Sequence, residues 1–256
     1  MYEAVMIAAT GLKNQQRRLD TIANNVANVN SAAYKSARLD FKDALYTSGI
    51  LPAKPRTPEP EGNQQQGHGV MVAAITKDYR MGAAQTTERP LDFFIEGEGF
   101  FELQDVTGDI VYTRNGNFKL DDYGFLVNAD GAFVLDSNGQ KIQAPPETES
   151  FSLTLDGRLC FEANGEEVSV GLGIYTFRNL TGLLSVGYGN YGESAASGEK
   201  MRADGIKVRQ GILEISNVSL SEEVTRLIRT QRAFQLSSRA LTTADQMEGI
   251  ANNMRR

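Results

Sequence analysis

The sole histidine, His68, lies in Gly-His-Gly, and the sole cysteine, Cys160, lies in the apolar run Leu159-Cys160-Phe161. A catalytic or metal-binding histidine needs a second imidazole or thiolates at ligand spacing, or a serine to deprotonate. With no second histidine, His68 reads as a solvated loop residue. A thiol between two large apolar neighbours reads as a small buried hydrophobe. The run Gly187-x-Gly189-x-x-Gly192 matches the spacing that admits a pyrophosphate to a helix N-terminus. The residues after it, Glu193-Ser-Ala-Ala-Ser-Gly198, lack an amphipathic helical pattern, so a plain loop is expected. Asp130-Gly131 and Asn138-Gly139 match the turn of a calcium loop, but the first ligand position would then be Leu126 or Val134, neither of which coordinates calcium. The 32 acidic residues offer carboxylate pairs for glycoside hydrolysis, yet nothing singles one out. No catalytic, cofactor or metal residue is assigned, and a β-domain hydrolase with helical oligomerisation arms stays as the enzymatic alternative.

The long elements at the two ends carry stronger patterns. Val5, Ala8, Leu12, Gln15, Leu19, Ile22, Val26 and Val29 alternate spacings of 3 and 4, the seam of a coiled coil. Lys13, Asn14, Arg17, Arg18, Asp20, Asn24 and Asn25 fill the other faces, so the stripe is narrow and needs a partner. From Asn24 to Asn30 helix propensity weakens and a turn is expected. Near the other end, Ser219-Leu-Ser-Glu222 is a capping-box pattern that marks a helix start. Beyond it Leu220, Val224, Leu227, Gln231, Phe234, Ser238 and Leu241 repeat the heptad spacing, and Ala244, Met247, Ala251 and Met254 continue it. Glu222 and Glu223 stand three or four residues before Arg226, a supporting pair. Helices of this kind are marginal alone, so the two stripes are expected to bury each other as a coiled coil.

Between the ends, residues 70–215 show short apolar or alternating runs such as Val70 to Thr76, Phe93 to Glu96, Phe100 to Leu103, Ile110 to Thr113 and Arg158 to Phe161. Asp130-Gly131, Asn138-Gly139, Asp156-Gly157 and Asn164-Gly165 supply the positive φ angles of tight hairpins. The runs are not separated by helix-length segments, which argues against a doubly wound α/β fold. The expected class is α+β: terminal helices pairing as a coiled coil, with a central, mostly antiparallel β domain. The expected divisions are 1–46, the N-terminal helix and the stretch after it; 47–69, a Pro/Gln-rich linker or extended loop holding Pro52, Pro55 and Pro58; 70–215, the β domain; and 216–256, the C-terminal helix packing with 1–46.

The formal charge of -6 disfavours a nucleic-acid backbone as main partner. No run approaches the roughly 18 apolar residues that span a bilayer. Glu3 comes early and Lys13, Arg17 and Arg18 late, the reverse of a secretory signal, so ordinary signal-peptide export is not indicated. A single cysteine admits no intrachain disulfide.

The stretch Ile22-Ala-Asn-Asn-Val-Ala-Asn-Val-Asn-Ser-Ala-Ala-Tyr-Lys35 resembles the N-terminal signature of the bacterial flagellar rod and hook proteins. Ser216-Asn-Val-Ser-Leu-Ser-Glu-Glu-Val, Thr230-Gln-Arg-Ala-Phe-Gln and Thr243-Ala-Asp-Gln-Met247 resemble the same family's other end. Ile95-Glu-Gly-Glu-Gly-Phe-Phe101 and Tyr112-Thr-Arg-Asn-Gly-Asn-Phe118 are similar to its recurring strand motifs. The resemblance implies a non-enzymatic axial subunit of the basal body, exported by the flagellar type III apparatus and crossing the periplasm, with terminal helices forming an inner tube and the β domain outside. The chain's length suits a rod protein better than a full hook protein; the resemblance points to a distal-rod type, with a proximal-rod or hook-type paralogue as the alternative. The implied partners are copies of itself, neighbouring axial proteins and the export apparatus, with no cofactor. Val5, Leu12, Leu19, Ile22 and Val26, with Val224, Leu227, Gln231, Phe234, Leu241 and Met247, are the expected assembly contacts. Asn24, Asn25 and Asn28 offer amide hydrogen bonds at the helix end. Ala33 stands where family members commonly place glycine, and its Cβ argues against a positive φ there.

Overall fold

The computed structural model describes residues 2–44, 46–48, 65–67, 69–146, 148–154, 157–163, 166–203 and 205–254. His68, the proline run, Asp156 and the Asn164-Gly165 turn lie outside these residues. Two helices bracket the chain, α1 (Tyr2–Ala27) and α2 (Leu220–Met254). α1 stops in the asparagine-rich stretch, where the Ser31 N–H and hydroxyl both turn back to Asn28, at 3.2 and 3.1 Å. α2 begins directly after Ser219, and Arg226 pairs with Glu223 at 2.7 Å and Glu222 at 3.6 Å. Among the described residues no helix is long and apolar enough to cross a membrane.

The chain divides into two compact units. One comprises Met1–Val26, Ala37–Thr76 and Leu220–Arg256, and so holds both helices. Within it the strand Ala37–Asp43 pairs with Val70–Lys77, and Tyr46–Ser48 with Gln65–Gly67. Leu39 and Phe41 alternating with Arg38, Asp40 and Lys42 are the period-2 pattern of a strand, so among the described residues of 1–46 only Tyr2–Ala27 is helical. Asn14 donates to the Val70 carbonyl, and the Arg18 guanidinium lies over the Phe41 ring at 5.8 Å.

The second unit, Ala27–Ser36 with Lys77–Ser219, is the β domain. Its largest sheet has nine strands, and every pairing with a defined register is antiparallel. Phe100–Gln104 lies near its centre, beside Ile110–Thr113 and Phe133–Val134. Because successive side chains point to opposite faces, Phe101 and Leu103 enter one core while Phe100 enters another. The first core also holds Phe93, Phe118, Leu126, Val134, Leu159 and Phe161, all fully buried. The second is aromatic, with Phe100, Tyr112, Phe177 and Tyr191 packed edge to face. Cys160 is buried on Arg158–Ala163, within a three-stranded sheet. The architecture is α+β.

Three of the turns share one design. Asn128 Oδ1 accepts from the Asp130 and Ala132 amides, both at 2.9 Å, and Gly131 closes the loop at φ +85°. Asp136 does the same with the Asn138 and Gln140 amides, and Asp121 with those of Tyr123 and Phe125. The expected positive φ falls on glycine, but the loop is organised by a side chain three residues before it. Gly187 to Gly192 is a hairpin rather than a plain loop: Leu184–Gly187 pairs with Asn190–Gly192, and no helix follows to receive a phosphate.

Burial pushes the Tyr79 phenol up to about 12, and raises Tyr112 and Tyr191 further still. From pH 10 upward these groups ionise in the unfolded chain before they do in the folded one, so stability present below pH 10 is lost as pH rises through about 12. In a spectrophotometric titration these three tyrosines should ionise only together with unfolding.

Candidate assembly site at the two chain ends

Along α1, Val5, Leu12, Leu19 and Val26 of the expected stripe are half-buried and Ile22 is 4% exposed, while Asn14, off that stripe, is buried too. Asn25, 1% exposed, accepts from and donates to the Ala37 backbone at 2.9 Å each way, tying the helix end to the following strand. Asn28 is half-buried and Asn24 exposed.

α2 is covered along a different line. Glu223, Leu227, Thr230, Phe234, Ser237, Leu241 and Ala244 are buried or half-buried, again in strict 4 and 3 spacing. Of the expected contacts, Leu227, Phe234 and Leu241 lie on this line, whereas Val224, Gln231 and Met247 are exposed. Large apolar side chains remain outside it: Leu220, Val224 and Ile228 near the helix start, then Leu236, Met247, Ile250 and Met254. An exposed helix with apolar residues over so much of its circumference is suited to further burial.

A second cluster forms where segments 33–36 and 214–217 meet inside the β unit. Glu214, 2% exposed, accepts through Oε1 from Lys35 Nζ at 2.5 Å and the Gly82 amide at 2.8 Å, and through Oε2 from Arg114 Nε at 3.0 Å. Lys35 and Arg114 are 1% and 4% exposed. Lys35 also donates to the Arg80 carbonyl at 2.8 Å, and Arg114 to those of Gly97 and Gly99 at 2.7 Å. Burial depresses the Lys35 ammonium below the usual lysine value, while Glu214 acts to keep it charged. Asn217 completes the cluster, accepting from the Ser36 amide at 2.8 Å and donating to the Asp78 and Arg80 carbonyls.

Three family descriptions match the chain: flagella basal body rod protein over residues 6–35, flagellar hook protein FlgE/F/G D1 domain over 94–161, and flagellar basal body rod FlgEFG protein C-terminal over 209–254. The chain is 37% identical over 269 residues to the flagellar basal-body rod protein FlgG of Borreliella burgdorferi and 38% identical over 266 residues to that of Bacillus subtilis, with all of each chain covered. The chain belongs to the flagellar basal-body rod protein family. It is also 29% identical over 273 residues, again end to end, to the flagellar hook-basal body complex protein FlhP of Bacillus subtilis.

Each matched family segment supplies one charged member of the buried cluster: Lys35 from the first, Arg114 from the second and Glu214 from the third. The motifs holding Lys35 and Arg114 carry no local reason for either charge. The same segments explain two small residues. Gly116 is required because a Cβ there would sit 1.9 Å from the Phe93 carbonyl oxygen. Ala33, against expectation, does adopt a positive φ of 54°, held by its N–H donating to the Glu214 carbonyl at 2.8 Å. A left-handed alanine is tolerated where its surroundings fix it, but a β-branched side chain is not. Ala33→Val should therefore lower stability by about 2 kcal/mol in denaturant unfolding.

Proposed function

We propose that this chain is a non-enzymatic structural subunit of the flagellar basal-body rod, of the distal-rod type, that polymerises through its terminal helices. Full-length similarity to proteins named as basal-body rod proteins supports the rod assignment. The observation that carries the mechanism is α2, which has one covered heptad line and seven large apolar side chains exposed beside it. In this reading the covered line is the intrachain packing, a coiled-coil-like pairing of α1 with α2, and the exposed apolar side chains receive a second copy. Val5, Leu12, Leu19, Ile22 and Val26 serve with Leu227, Phe234 and Leu241 in the first role; Val224, Gln231 and Met247 serve in the second. Asn24, Asn25 and Asn28 fix the end of α1. Residues 1–46 and 216–256 form the axial part and 70–215 the outer part, joined through 47–69.

A contact between unlike surfaces, repeated about a screw axis, builds an open filament instead of a closed ring. The subunit reaches its place through the flagellar type III apparatus and meets other axial proteins above and below. Sedimentation and electron microscopy of the purified chain test this. Concentration-dependent rods are expected, and a stable closed dimer contradicts the reading.

A further inference from the structure

We propose that Lys35, Glu214 and Asn217 form a latch, anchored by Arg114, that permits assembly of the subunit only once its β domain has closed. The inference rests on the rod reading above. The chain passes between its two units after residues 26, 36, 76 and 219. Three of these crossings are tied together here: Ser36 and Lys35 before the second, Asp78 and Arg80 after the third, and Asn217 before the fourth. Asn217 holds Ser36, Asp78 and Arg80 at once, and Asp78 donates from its own amide to the Ser36 carbonyl at 2.8 Å.

The latch cannot form before the sheets do. Glu214 is placed by Ile212–Glu214 pairing with Ala84–Thr86. Arg114 follows Ile110–Thr113 and is held by carbonyls on either side of Glu98. The charges are almost completely enclosed, and a buried charge without its partner is strongly disfavoured, so a half-formed latch is unstable and the cluster closes as one. A chain whose β domain is unfolded therefore has nothing to hold its exits together. Subunit addition follows folding.

Lys35→Met in the full chain separates the latch from the core. Removing the ammonium strands no polar group among its partners: Arg80 keeps the Asn217 amide at 3.1 Å, and Glu214 keeps Gly82 and Arg114. Leu159→Ala, in the buried core and outside the cluster, is the comparison. The readouts are β-domain melting, amide exchange at Ala33 and Asn217, and incorporation of a tagged copy into isolated basal bodies. Lys35→Met should melt close to wild type, lose protection at those two amides about tenfold and incorporate about tenfold less, a change equivalent to about 1.4 kcal/mol. Leu159→Ala should melt lower yet incorporate better than Lys35→Met. Wild-type incorporation by Lys35→Met overturns the latch, as does an incorporation loss that merely follows melting temperature across both variants. Loss of the β-domain transition in Lys35→Met also overturns it, by making Lys35 a folding residue. Absence of the wild-type chain from basal bodies counts instead against the rod reading; unchanged exchange at Ala33 and Asn217 then still overturns the latch.

Discussion

Val224→Asp should leave the folded monomer intact and abolish its assembly. The side chain is 41% exposed, so a carboxylate there stays hydrated in the free subunit, and melting should change by no more than about 0.5 kcal/mol. In a filament that buries this face against a second copy, the same carboxylate loses its water without gaining a partner, at a cost of several kcal/mol. Sedimentation would read this as disappearance of the polymer at concentrations where wild type forms it. Leu227→Asp and Leu19→Asp make the complementary pair. Both positions are half-buried in the monomer, so they should lose assembly together with helical order while the β domain keeps its own transition. Assembly of Val224→Asp at the wild-type concentration would remove α2's exposed side chains from the interface.

Glu214→Ala should be among the most destabilising single substitutions in the β domain. It leaves Lys35 and Arg114 enclosed beside each other with no counter-charge, and takes the acceptor from the Gly82 amide. Breaking a buried ion pair from one side costs about 3–5 kcal/mol, comparable to emptying a large core side chain. Chemical denaturation of the full chain measures it. Lys35→Met should cost much less, because it removes one cation of two and leaves the carboxylate paired. Equal losses in the two variants would mean that the carboxylate is not the centre of the cluster.

These residues also show what a single sequence reveals. On α1 the heptad line is half-buried with Ile22 buried, but Asn14 and Asn25, which polarity alone assigns to the other faces, are buried as well. On α2 the same rule selected Val224 and Gln231, while the covered positions are Glu223 and Thr230. Two overlapping 4 and 3 lines share Leu227, Phe234 and Leu241, and apolar character alone favours the line that a monomer leaves exposed. The β domain was legible from its alternating runs and glycine turns. Glu166–Gly171 and Lys207–Gln210 escaped notice because charged residues interrupt their apolar alternation. The buried cluster was invisible for a different reason. Lys35 and Glu214 are 179 positions apart and Arg114 and Glu214 100 apart, and no local pattern predicts a contact at that separation. Family motifs named two of its three charges, and only the fold brings them together. Ala33 illustrates the limit of a propensity argument: a tertiary hydrogen bond overrides the preference of its own φ.

The most direct test is where the chain resides in a flagellated cell. A tagged copy should be retained in purified basal bodies after the membranes are dissolved, wild type but not Val224→Asp, with both proteins present at equal levels in the whole cell. A wild-type chain found only in the soluble cytoplasmic fraction would contradict the account.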